Sequence, residues 1–280
     1  MDLQSNIQEL YNKQQEEWES FRNAVKQLDN IRVKQFNWGD NVKVNIQFNP
    51  GRITSTSAKV DKKNIEQRPC FLCEQNRPTV QKGLSFLDKY TILVNPYPIL
   101  RNHLTIPIHS HVPQRIRKKI GDMLSLSEQL PDYIVFYNGP KSGASAPDHF
   151  HLQAGLKSPV LLQGENELRS CLVVEATTKT EAMDLAEDVY LFLQKQQPEE
   201  DEPMLNIISF MDNDKYMLHI FPRKAHRPKQ YFIEGSKQLL ISPGALDMAG
   251  LIITPREEDF DKIQKDDIVD IFSQVSMLII

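Results

Sequence analysis

Residues 149–155 read His-Phe-His-Leu-Gln-Ala-Gly, and this alternation constrains the fold more than any other stretch of the chain. Successive side chains on a β-strand point to opposite faces. His149, His151 and Gln153 therefore take one face, and Phe150, Leu152 and Ala154 take the other. Such a strand needs a core against its apolar face, and it holds two imidazoles and a carboxamide in a row on its second face. Upstream, an apolar run ends at Tyr137-Asn138, and residues 139–148 are small or turn-forming. The segment reads strand, loop, strand. If the histidines were only exposed sheet residues, the surrounding Asn, Gly and Gln would be left without a role.

The remaining chain supplies the other elements. Leu3, Ile7, Leu10, Tyr11, Trp18, Phe21, Val25 and Leu28 recur at helical spacing, which predicts an amphipathic helix over 3–28. Residues 42–48 alternate as a strand that ends in the turn Asn49-Pro50-Gly51-Arg52. Residues 53–68 are polar and read as a loop. Strands follow at 90–94 and 103–108, then a helix over 113–130 with Pro113 as its first residue, and a strand at 133–138. In the second half a strand restarts at Cys171. Thr178 with Glu181 suggests a capping box for a helix that turns Ala182, Leu185, Ala186, Val189, Phe192 and Leu193 inward. Residues 205–210 and 216–221 read as a hairpin closed by the five residues 211–215, and 251–254 as a last strand. The expected class is α+β, with antiparallel-rich sheets, crossing helices and two related halves, 1–160 and 161–280.

Composition narrows the function. Hydrophobic residues at 40% and charged residues at 25% of 280 suit an ordinary globular protein. A net charge of -4 argues against binding nucleic-acid polymers. No apolar run approaches the roughly 18 residues of a membrane span, and the polar N-terminus lacks a signal-peptide core. Three cysteines make no disulfide framework, so a reducing, cytoplasmic compartment is expected, with a metal or redox role open for Cys70-Phe71-Leu72-Cys73.

The histidine strand carries the chemistry. A neutral imidazole, with a reference pKa of about 6.5, is a good nucleophile toward phosphorus near neutral pH. Attack on an α-phosphate makes a covalent phosphoramidate and divides one difficult transfer into two easier ones. His151 lies between two polar neighbours on its own face and is the expected nucleophile. Gln153 is the expected donor that orients the phosphate, and Gly143-Ala144-Ser145 a source of backbone N–H groups and one hydroxyl. Arg52 reads equally as a phosphate contact and as a solvated turn residue. Arg223, in the basic stretch 223–229, could hold phosphates or balance the acidic connector 198–203.

His149-Phe150-His151-Leu152-Gln153, with Asn138 and the Gly-Ala-Ser segment before it, resembles the His-x-His-x-Gln signature of the transferase branch of the histidine-triad (HIT-like) superfamily. That branch includes galactose-1-phosphate uridylyltransferases, diadenosine tetraphosphate phosphorylases and GDP-L-galactose phosphorylases. Its hydrolase relatives carry a third histidine where Gln153 stands. The segments 49–52, 95–107, 113–116 and 242–252 are similar to the GDP-L-galactose phosphorylase pattern, whereas Cys70-x-x-Cys73 is similar to the zinc-binding pair of the uridylyltransferases. The resemblance implies ping-pong nucleotidyl transfer. His151 would take a nucleoside monophosphate from a nucleoside diphosphate sugar or a dinucleoside polyphosphate, and phosphate or a sugar 1-phosphate would remove it. GDP-hexose phosphorolysis is the leading expectation and UDP-hexose exchange the second. Hydrolysis is disfavoured by Gln153, and a zinc-stabilised nucleotide-binding protein without turnover is the reading from another class. Relatives are often homodimers.

The same resemblance implies structural zinc held by Cys70, Cys73, His109 and His149. His111 competes with His109, because both lie just past Pro107.

Overall fold

A computed structural model describes residues 2–57 and 60–279. Eleven strands are named here in chain order: β1 (Arg32–Trp38), β2 (Val42–Phe48), β3 (Gly83–Phe86), β4 (Tyr90–Val94), β5 (Leu104–Pro107), β6 (Tyr133–Asn138), β7 (His151–Leu156), β8 (Leu172–Ala176), β9 (Leu205–Asp212), β10 (Lys215–Pro222) and β11 (Leu251–Thr254). Eight form one antiparallel sheet in the order β3-β4-β5-β7-β6-β9-β10-β8. The other three form a small sheet, with β2 antiparallel to β1 and parallel to β11. The class is α+β, as expected. Hydrogen bonding continues across residue 160, because β6 pairs β9 from Val135↔Ser209 to Asn138↔Asn206. No helix among the described residues is long and apolar enough to cross a membrane.

Alternation along the central strands builds a core on each face of the large sheet. Val135, Tyr137, Leu152, Ala154 and Leu218 face the core shared with the helices Ile120–Gln129 and Lys179–Gln196. Ile134, Phe136, Ile208 and Phe221 face a second core shared with β2, β11 and the helix Lys265–Val275. Period-two patterning thus fixes which face each residue of β7 presents. Phe150 and Leu152 go to the helical layer, and His151 and Gln153 go to the side that β2 and the loop after β4 approach. Near that side Asn49 donates to Pro98 O (3.1 Å) and Arg52 to Tyr97 O (2.7 Å).

Several elements differ from the sequence-based expectation. The N-terminal helix divides into Leu3–Glu17 and Glu19–Gln27, because Trp18 is extended (φ -119°, ψ 94°). Pro113 does not start a helix; helical turns begin at Arg117. Residues 114–116 are held off the helix by bonds from Gln114 N to Pro147 O (3.1 Å) and from Ile116 N to Glu202 Oε2 (2.6 Å). Short helices occupy Ile53–Thr56 and Lys62–Gln67 where a loop was expected; that loop also includes 58 and 59, outside the described residues. The β9–β10 hairpin turns on two residues, Asn213 and Asp214, both at positive φ (46° and 63°), the conformation that matches strand twist in tight hairpins. On Lys179–Gln196 the buried stripe is Ala182, Ala186, Tyr190 and Leu193, while Leu185 and Phe192 face outward. The small alanines let this helix lie close to the sheet. Thr178 accepts from Glu181 N (3.2 Å), but the Glu181 carboxylate returns to Thr177 N (3.1 Å), one residue before the expected cap.

Candidate active site and metal cluster

The site forms where β6 and β7 part to make the loop 139–150. Gly143 sits at φ +103°, and a Cβ there would come within 3.0 Å of Gly244 Cα, so the loop packs bare backbone against backbone. Ser142 N (2.9 Å) and Ala144 N (3.3 Å) both donate to Gly139 O, closing the turn. The Ala144 amide is therefore committed within the loop. Among the described residues the Gly143 and Ser145 amides have no such acceptor. Asn138 Oδ1 accepts from Asn206 Nδ2 (2.9 Å) and Ala245 N (2.7 Å). The segment 243–247, which sequence reading left without a mechanistic role, thus supports this loop.

His151 opens β7 and is buried. Its Nδ1 lies 2.8 Å from His149 O, an atom that only accepts, so Nδ1 carries the proton and Nε2 the lone pair. No hydrogen bond engages Nε2 among the described residues. Burial pushes the His151 pKa down to about 4, and the ring is neutral near pH 7. Gln153, two residues along the same face, is oriented by His103. Ile99 N donates to His103 Nδ1 (3.1 Å), so His103 Nε2 carries hydrogen and donates to Gln153 Oε1 (3.1 Å). The Gln153 oxygen is thereby occupied, and its NH2 group is left to donate into the site. Burial first, then the charge of Arg52, lowers the His103 pKa to about 3 and keeps this relay neutral.

His149 belongs to a different cluster. Its Nε2 donates to Ile108 O (2.7 Å), which leaves Nδ1 as a lone pair facing Cys70 Sγ (3.3 Å) and Cys73 Sγ (3.5 Å). His111 Nδ1 lies 3.3 Å from Cys73 Sγ. The four donor atoms of Cys70, Cys73, His111 and His149 lie within 4.8 Å of one another, so the group could hold a metal ion. A tetrahedral zinc with ordinary bond lengths would separate S and N by about 3.6 Å, close to what these pairs show. Burial opposes ionisation of Cys70, yet the His149 bond and the Leu72 and Cys73 N–H groups outweigh it and bring the thiol down to about 6. Asp148 lies behind the cluster, 3.6 Å from His111 Nε2 and 2.9 Å from Arg68 Nη2, and the same Arg68 nitrogen reaches Ser145 O (3.4 Å).

Two expected residues are corrected. The cluster takes His111 and not His109, because His109 N is drawn to Lys89 O (2.8 Å) just after β5 and the chain turns before reaching the cysteines. Arg223 is fully buried and is not placed to grip a phosphate. Its guanidinium donates to Asn206 Oδ1, Pro243 O (3.0 Å), Val275 O (3.1 Å), Ala225 O (3.0 Å) and His226 O (3.0 Å), which uses all five N–H groups. Arg52 is half-buried beside Tyr97, where burial lowers its pKa to about 10. Sequence reading missed His103, Gln114, Arg68 and Asp148. His103 and Gln114 left a signal only as members of the segments 95–107 and 113–116, with no role attached to either.

The sheet order is that of an α+β fold with His149 and His151 at the entry to β7. The chain belongs to the family described as Domain of unknown function (DUF4922), whose model matches residues 10–156. Its structure is similar to yeast Ap4A phosphorylase Apa2, with a TM-score of 0.59 and 15% identity over 92% of this chain and 96% of that one. The complexes of the yeast protein with AMP and with Ap4A give TM-scores of 0.58 and 0.56 at the same identity and coverage. No curated protein matches the chain in sequence.

Proposed function

We propose that the protein transfers a nucleoside monophosphate through a covalent nucleotidyl-histidine on His151. One observation carries this reading: His149 O holds Nδ1–H, so the neutral ring presents the Nε2 lone pair on the same strand face as the Gln153 NH2 group. In the first step Nε2 attacks the α-phosphorus of a phosphoanhydride, the P–O bond to the leaving group breaks, and the leaving phosphate departs with that electron pair. Gln153 and the Gly143 and Ser145 amides donate to the phosphoryl oxygens as charge shifts onto them. Inorganic phosphate or a sugar 1-phosphate then attacks the same phosphorus and restores the neutral imidazole. With GDP-hexose and phosphate the products are hexose 1-phosphate and GDP. A dinucleoside polyphosphate donor is the second reading, favoured by the fold shared with the yeast Ap4A phosphorylase over nearly the whole chain.

In this reading Cys70, Cys73, His111 and His149 hold a structural zinc. Four protein ligands leave it no open position for water, so it supplies no acid and no nucleophile. Its contribution is positional, because the His149 carbonyl that orients His151 belongs to a ligand residue.

The test is intact mass after incubation with GDP-hexose, UDP-hexose and diadenosine tetraphosphate in turn. The expected result is an acid-labile nucleotidyl adduct that is absent in His151→Ala and is discharged by phosphate or hexose 1-phosphate. Binding of a donor without adduct or turnover would replace this reading with that of a nucleotide-binding protein.

A further inference from the structure

The pairing of β6 with β7 runs from Tyr133↔Leu156 to Phe136↔Gln153 and then stops. Continued in the same register, it would pair Tyr137 with Leu152 and Asn138 with His151. The strands have separated by then, because β6 is leaving for the loop 139–150. In an antiparallel ladder a hydrogen-bonded pair exchanges both N–H···O bonds between opposed residues. The Asn138–His151 pair makes neither bond directly. The Gln114 side chain occupies its place. Gln114 Nε2 donates to Asn138 O (3.0 Å) and to His151 O (3.0 Å), and Gln114 Oε1 accepts from His151 N (2.8 Å). The carboxamide has the donor and acceptor pattern of a peptide group, and here it does the work of one. Gln114 is fully buried, and its own backbone is fixed by Pro147 O and the Tyr137 hydroxyl.

We propose that Gln114 is a positioning residue for His151: its carboxamide replaces the missing rung of the β6–β7 ladder and holds the nucleophile's backbone in strand geometry while the strands part to form the phosphate loop. The other edge offers no alternative: Pro107 and His151 form a non-hydrogen-bonded pair, with Ile108 N donating to Phe150 O (3.0 Å), so the His151 amide and carbonyl point away from β5. Without Gln114 the first residue of β7 would have neither its amide nor its carbonyl paired on either side, in a place where water is excluded.

The inference rests on the assignment of His151 as nucleophile, and its test separates the two. Gln114→Met keeps the length and removes every hydrogen bond. Gln114→Glu keeps an acceptor for His151 N–H and, protonated by its burial against two carbonyls, leaves one of them without a donor. The readouts are hydrogen exchange at the His151 amide, donor affinity and the rate of adduct formation. In Gln114→Met the amide should exchange on the order of tenfold faster, with adduct formation slowed about 100-fold and donor affinity close to wild type. In Gln114→Glu the amide should stay protected while adduct formation falls. A folded Gln114→Met variant with wild-type exchange at His151 would overturn the proposal. So would a Gln114→Glu variant with wild-type transfer, which covers the case in which the methionine variant does not fold. If the wild-type protein forms no adduct, the nucleophile assignment fails, and the exchange measurement still decides whether Gln114 completes the ladder.

Discussion

Glu202 lies in the acidic connector yet is buried, and replacing it with glutamine has a calculable effect. The Tyr137 hydroxyl is within reach of both Glu202 Oε1 and Gln114 O. One hydroxyl proton cannot serve two acceptors. When Glu202 is protonated, its own O–H donates to Tyr137, whose proton then goes to Gln114 O, while Glu202 Oε2 accepts from Ile116 N. Burial raises the Glu202 pKa from 4.5 to about 7, against the opposing bonds from Tyr137 and Ile116 and the charges of Lys119 and Arg115. The folded pKa lies above the unfolded one. The stabilisation is therefore fully present below about 4.5 and lost as pH rises through about 7. At 1.36 kcal/mol per unit, a shift of this size is worth about 3 kcal/mol. Glu202→Gln mimics the protonated acid at every pH. Urea unfolding of both proteins from pH 5 to 8 should show the wild type losing about that much relative to the variant. Parallel stability curves across this range would refute both the protonated assignment and the hydroxyl relay built on it.

Two further outcomes follow from the site geometry. Metal analysis should find zinc in the wild type and in His109→Ala, and its loss in His111→Ala and Cys73→Ser; equal content in all four would remove the ligand set. His103→Phe keeps the ring packing against Phe136 but orphans the Ile99 N–H and the Gln153 oxygen, both inside the fold. Denaturant unfolding should show a cost of roughly 2–5 kcal/mol for the two groups together, with slower adduct formation as Gln153 loses its orientation; a loss under 0.5 kcal/mol would refute the relay.

How much of this was legible in the sequence differed by residue. The alternation at 149–154 announced a strand with a polar face, because a period of two leaves little choice once one face must be buried. His149 and His151 received separate roles before any geometry was known, and the structure places their rings in different hydrogen-bond environments. The choice between His109 and His111 depended on where β5 ends and how the next turn is bonded, which spacing does not encode. Arg223 was misread because a run of basic residues at a strand end looks the same whether a guanidinium is solvated or enclosed by carbonyls. Gln114, inside the segment 113–116, had no legible role for a deeper reason: a carboxamide acts as a ladder rung only where two strands of the right register diverge, and that register involves residues some 24 and 37 positions away. The division into related halves at 160 remains a proposal, and the large sheet takes strands from both sides of it.

The parallel pairing of β2 with β11 sets an order of events. Thr254 Oγ1 donates to Gln47 O across 207 residues, and Pro243–Gly244 abuts the Gly143 loop. A chain emerging from the ribosome can form the histidine strand and gather Cys70 and Cys73 early, since all of these lie between 70 and 156. The small sheet and the backing of the Gly143 loop wait for residues near 250. Contacts of such long separation form late and slowly. The nascent protein therefore carries the histidine strand through roughly 100 further residues of synthesis before the scaffold that backs its loop is complete.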